Sequence, residues 1–227
     1  EDGEEYISTF GSHGEDPGQF IWPMCIALDK DTNVYVTDEW LNRITKYDKD
    51  GEYISHWGIH GSGDGETDRP AGIAVGQDNT LYIVDSRNNR VQKFDLDGKF
   101  LGRFGSAGSG DGQFNLPWGV TVDTDGNVFV ADWRNDRLQV FDADGRFITQ
   151  LTGDATLSKW GRERLELDPG MMRGRDRAQG LQEREKLFNG PIAVEVDEEG
   201  RVFVVETARQ RLQVYRKQVA SFHGGPL

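Results

Sequence analysis

An all-β fold, a propeller of four-stranded antiparallel blades, is what the sequence predicts, on three observations. A unit of about forty residues occurs four times, and its prolines Pro23, Pro70 and Pro117 stand 47 residues apart. Each unit holds four short runs of β-branched and aromatic residues bounded by Asp, Gly and Asn. A sheet of four short strands cannot bury both of its faces alone, so each copy needs another beside it.

The copy from Phe114 to Gly153 shows the pattern most plainly. Val120 and Val122 mark its first strand, Val128-Phe129-Val130 the second, Leu138 to Phe141 the third and Phe147-Ile148-Thr149 the fourth. The runs Asp123–Asn127 and Asp142–Gly145 supply the hairpins, because Gly takes positive φ and Asp caps the turn backbone. Sliding this unit along the chain gives blades at about 19–58, 66–105, 113–153 and 188–224, within one domain spanning 1–227. Tyr6, Ile7 and Phe10 repeat the outer-strand pattern of Tyr53, Ile54 and Trp57, so residues 4–10 are expected to form the outer strand of a further blade. Six blades of this period would need roughly 280 residues. The 227-residue chain is therefore expected to hold the C-terminal part of a six-bladed ring.

Net charge is −13 with a pI near 4.7. Such a chain repels nucleic acid and anionic membranes as a whole, and no apolar run approaches the ~20 residues of a membrane span. The single cysteine, Cys25, aligns with Gly72, Gly119 and Ala193, a place that takes a small residue, and it cannot form an internal disulfide.

The turns between second and third strands begin with an acid and end with an arginine in every copy: Asp38 and Arg43, Asp85 and Arg90, Asp132 and Arg137, Glu206 and Arg211. A feature kept in all four blades is read as scaffold, the carboxylate accepting turn amides and pairing with the guanidinium. Between these fixed points the residues vary. Trp22, Trp40, Arg87, Trp118, Trp133, Arg134 and Arg209 are expected on this rim as a binding surface, because loop positions are free of strand packing. The opposite rim is densely acidic, and its Asp-rich turns lack the distal Glu of a calcium loop.

Residues 154–188 interrupt the repeat with helix-forming composition and are expected to form a short helical cap on the rim. Trp160 would be buried beneath it, and Arg173, Arg175 and Arg177 would face outward. Glu195 breaks the pattern of the innermost strands, where its counterparts are Ala27, Ala74 and Thr121. A carboxylate there must be paired or face a wet channel, and Glu195 is the one candidate catalytic acid. His13 and His60 occupy equivalent loop positions and are candidate metal ligands without an aligned third.

The segments Pro70-Ala-Gly-Ile-Ala-Val, Val34-Tyr-Val-Thr-Asp, Asn89-Arg-Val-Gln-Lys-Phe and Asp97-Gly-Lys-Phe closely resemble the NHL repeat, whose propellers usually have six blades. The resemblance implies the fold. It leaves function to the rim and channel, since propellers carry many unrelated activities. The preferred expectation is a non-catalytic scaffold that presents the Trp/Arg rim and helical cap to a protein or peptide partner, with no cofactor. The alternative is a propeller enzyme, a lyase or lactonase-like hydrolase. Its divalent metal, calcium or zinc, would sit in the channel, held by His in such lyases or by Glu, Asn and Asp in such hydrolases. A lesser alternative is single-stranded RNA stacked on the rim aromatics, which the acidic balance opposes.

Overall fold

The four repeats fold as four separate antiparallel sheets, each a meander in chain order. The computed structural model describes residues 6–155, 167, 170 and 185–216. Two short strands, β1 (Ser12–His13) and β2 (Gln19–Phe20), pair ahead of the first blade. Blade one comprises β3 (Pro23–Leu28), β4 (Val34–Asp38), β5 (Arg43–Tyr47) and β6 (Tyr53–Trp57). Blade two comprises β7 (Pro70–Val75), β8 (Leu81–Asp85), β9 (Arg90–Phe94) and β10 (Phe100–Phe104). The connector pair β11 (Ser106–Ala107) and β12 (Gln113–Phe114) leads to blade three. That blade is β13 (Pro117–Val122), β14 (Val128–Asp132), β15 (Arg137–Phe141) and β16 (Phe147–Leu151). Blade four has β17 (Pro191–Val196), β18 (Arg201–Glu206) and β19 (Arg211–Arg216). Its expected fourth strand falls at 217–224, outside the described residues.

Strand alternation decides what packs on what. On β14, Val128 and Val130 face blade two and join Tyr82, Val91 and Phe104. Phe129 and Ala131 face the other way and join Val194, Val202 and Val204 of blade four. Blades one and two share a third cluster, in which Tyr35 and Ile44 meet Ile73, Leu81 and Ile83. The innermost strands run β3, β7, β13, β17, each beside the next, and form an arc. Glycine is needed where these strands are closest. A Cβ on Gly72 would lie 2.6 Å from the Trp118 carbonyl oxygen, and one on Gly119 would lie 2.7 Å from that of Ile192. The faces that end the arc are apolar and open, with Ile26 and Leu28 on one side and Val205, Leu212 and Val214 on the other.

A repeated latch ties the blades along one rim. Asn42, Asn89 and Asp136 all adopt left-handed backbone, with φ of 52°, 53° and 53°. Their side-chain oxygens accept from the amides of Arg69, Leu116 and Gly190 in the next blade, at 2.8, 2.8 and 2.7 Å. On the opposite rim lysines reach across: Lys30 Nζ donates to the Gln77 carbonyl, Lys46 Nζ to that of Leu96 and Lys93 Nζ to that of Ala143.

The recurring acid and arginine pair in three of the four blades. Arg90 Nε donates to Asp85 at 2.7 Å, Arg137 Nε to Asp132 at 2.8 Å and Arg211 Nε to Glu206 at 2.7 Å. In blades two and three a glutamine on the third strand completes the network. Gln92 donates to the Glu66 carbonyl and to Asp85 and accepts from Gly65 N, and Gln139 repeats this with Gln113, Asp132 and Gly112. In blade four Gln213 donates to Glu206. Blade one departs from this plan. Asp38 accepts instead from four backbone amides, those of Ile21, Trp22, Trp40 and Leu41. Arg43 keeps the carbonyl contacts that Arg90 makes in blade two, here to Glu15, Asp16 and Gln19, but its Nε makes no bond to Asp38, and that Nε and the Thr45 hydroxyl are buried without a partner. The cause is visible in sequence, since Leu41 and Thr45 stand where blades two and three have Asn88 and Asn135, and Gln92 and Gln139. Thr45→Gln should supply the missing donor and acceptor and raise stability by about 1–2 kcal/mol. The denaturation midpoint reads it, and an unchanged or lower value would show that neighbouring side chains already fill that space.

Two expectations change at the ends of the blades. Residues 6–10 lie outside any strand, with Tyr6 and Ile7 exposed and the Phe10 ring 5.0 Å from that of Tyr47. An outer strand needs a third strand to pair with, and in blades one to three each third strand already carries its own fourth. The insertion leaves and returns through a tied neck. Ala155 N donates to the Lys186 carbonyl and Phe188 N to that of Thr152, while Asp154 N donates to the Tyr215 hydroxyl. Phe188 is buried against the Tyr215 ring. Glu185 and Lys186 are helical, and most of the expected cap, including Trp160, Arg173, Arg175 and Arg177, lies outside the described residues.

Candidate functional site

The four innermost strands converge on a cavity of about 350 Å³ along the channel. Its walls are apolar side chains and inner-strand backbone, with Cys25 and Ile73 from the first two blades and Trp118 and Val120 from the third. Blade four contributes Phe203 and Val205 from β18 and the one carboxyl group of the lining, Glu195. Cys25 is half-buried there and keeps a free thiol.

Glu195 lies on β17 opposite Phe203. It occupies the tier of Ala27, Ala74 and Thr121, and the Thr121 hydroxyl on the neighbouring inner strand favours its ionised form. Thr121 itself is buried. Both residues are polar where blades one and two have alanine, so the polar pair exists only between blades three and four. Glu195 is exposed. Partial burial is nevertheless the largest influence on its carboxyl and pushes it above the ordinary 4.5, against the Thr121 hydroxyl and the Val196 amide. A carboxylate held this way is a stronger base than a free one.

The rim residues form two groups rather than one surface. In blade three the Trp118 and Trp133 rings meet edge to face at 5.9 Å, and the Arg134 guanidinium lies 5.1 Å over Trp133. Trp118 also walls the cavity, so this stack runs from the rim into the channel. In blade one Trp22 and Trp40 meet at 6.3 Å and are both more than half exposed. Arg87 is exposed. Between the groups Arg69 pairs with Glu39 at 2.7 Å, a contact that sequence reasoning missed although Arg69 holds the place of Trp22 in its blade. Arg209, expected on the binding rim, instead donates to the Glu185 and Leu187 carbonyls and clamps the returning insertion.

The candidate metal ligands do not assemble. His13 is exposed on β1, and His60 Nε2 stands 3.9 Å from Asp68. No group of three or more His, Cys, Asp or Glu placed to hold a metal occurs among the described residues. The inner strands contribute Glu195 and the Cys25 thiol, and none of the described histidines lies on them. The described residues therefore do not by themselves fit a channel metal. No helix among them is long and apolar enough to cross a membrane.

The family profile described as the SMP-30/Gluconolactonase/LRE-like region matches residues 27–157, more than half of the chain. No curated protein sequence matches. Among solved structures, virginiamycin B lyase from Staphylococcus aureus is similar at 16% identity, with a TM-score of 0.53 over 87% of this chain and 56% of that one. A gluconolactonase from Xanthomonas campestris is similar at 16% identity, with a TM-score of 0.53 over 86% and 57%. The hydrazine synthase of Kuenenia stuttgartiensis reaches 0.55 at 13% identity over 93% and 53%. The chain thus spans a little over half the length of the structures it matches, and at these identities the likeness concerns the fold. These findings correct the resemblance to the NHL repeat. The segments that suggested it are strand cores, hairpin signals and the acid–arginine motif, which serve the folding of these blades. They also correct the expectation of a non-catalytic scaffold for a protein or peptide partner, because the matching family is named for a lactonase and similar folds include lyases.

Proposed function

Because the chain belongs to the SMP-30/gluconolactonase/LRE-like family, we propose that it forms the channel of a propeller enzyme that opens a cyclic ester, with Glu195 as general base. The observation that carries this reading is Glu195 itself, the lone carboxyl in the lining of an apolar channel cavity, raised in pKa by partial burial. In the hydrolysis proposed, Glu195 takes a proton from water as the oxygen adds to the ring carbonyl. It returns that proton to the ring oxygen as the C–O bond breaks, which gives a hydroxy acid. A six-bladed ring is part of the proposal. It is supported by the length of the similar structures and by the open apolar faces at Ile26 and Leu28 and at Val205, Leu212 and Val214.

The test is kcat/KM for lactone opening by the intact protein as a function of pH. A base must be ionised, so activity should rise with pH through one ionisation lying above the usual glutamate value. Thr121→Val removes a donor that favours the carboxylate, so it should move that midpoint upward. An unsaturated acid in place of the hydroxy acid would assign elimination, the lyase outcome. No ring opening of any lactone offered, or a profile indifferent to Thr121, would overturn the assignment.

A further inference from the structure

The cavity lining says which part of a substrate this arc can hold, an inference that rests on the ring-opening reading of the same site. A sugar lactone carries several hydroxyl groups, and each hydroxyl buried without a partner is costly. Apart from Glu195 and the Cys25 thiol, the side chains that line the cavity on all four blades are hydrocarbon, thioether or indole. On the rim side Trp118 continues the apolar wall, stacked on Trp133. We propose that these four blades bind the apolar portion of the substrate, an alkyl or aromatic substituent on a cyclic ester, with the ester group next to Glu195. The side chains of this wall offer a polyhydroxylated ring no partner besides Glu195 and Cys25.

The experiment compares five-membered lactones bearing hydrogen, butyl or octyl at the ring carbon next to oxygen, with gluconolactone as the polar counterpart. Each methylene that leaves water should raise kcat/KM by roughly fourfold until the cavity is filled. Gluconolactone should be the poorest substrate. Trp118→Ala should shrink the octyl-to-unsubstituted ratio by at least about tenfold, with a denaturation midpoint near the parent's showing that the fold is kept. Binding is measured in parallel by calorimetry with Glu195→Gln, which removes the proposed base and leaves the walls. A flat series, or a preference for gluconolactone, overturns the substrate class and leaves the ring-opening reading standing. Octyl-dependent binding without turnover of any lactone supports the apolar subsite and overturns the reaction instead. Binding that does not strengthen from hydrogen to octyl overturns the subsite whatever the turnover shows.

Discussion

Glu195→Gln is expected to lower kcat/KM for lactone opening by about 10²- to 10⁴-fold, the range over which a positioned general base contributes. Glutamine keeps the size of the side chain and can still accept from the Thr121 hydroxyl, so the channel walls and the blade contacts should be undisturbed. The thermal midpoint should therefore stay within a degree or two, since a solvent-contacting side chain at the channel contributes little to folding. The variant's remaining activity should also lose the pH dependence assigned to Glu195, because no other carboxyl lines the cavity. Retention of activity within about threefold of the parent would remove Glu195 from the reaction.

Asp85→Ala is expected to cost about 3–5 kcal/mol of stability, the range for removing one partner of a buried ion pair. The Asp85 carboxyl is fully buried and accepts from Asp68 N, Asn88 Nδ2, Arg90 Nε and Gln92 Nε2. Burial is the largest influence on it and lifts its pKa above the ordinary aspartate value, against these donors and the Arg90 charge. Alanine would leave the Arg90 Nε–H, the Asn88 amide and a backbone N–H without this acceptor. Glu39→Ala is the comparison, since it breaks an ion pair whose arginine is substantially exposed. It should cost less than about 1 kcal/mol. Denaturant titration of both variants separates the two cases. Equal losses would mean that burial of the Asp85 pair does not set its contribution.

The propeller was legible because its causes are local and repeated. Alternation in β14 sends Val128 and Val130 one way and Phe129 and Ala131 the other, and the sequence alone shows that period. The acid–arginine pairing was legible from recurrence, and even the exception at Arg43 has its signal in Leu41 and Thr45. Family was less legible, because strand cores and turn chemistry belong to the blade rather than to the activity carried by it. The residues that suggested an NHL repeat are the same ones that hold Asp85, Arg90 and the hairpins in place.

The candidate site was half visible. Glu195 stood out because it breaks the alanine tier, and the tertiary structure alone revealed its partner. Thr121 and Glu195 lie on different blades separated by the insertion, so no local pattern couples them. The cavity is likewise a product of four strands meeting, and Phe203 and Val205 enter it from a second strand of blade four. Arg209 shows the reverse, a rim residue by sequence position that the fold spends on the insertion neck. Sequence by itself determined which residues form strands, which turns cap them and which side chains face a core, because those depend on near neighbours and a fixed period. Which carboxyl meets which hydroxyl, and which walls enclose the channel, depends on how the blades are turned against one another. Only the packed arc decides that.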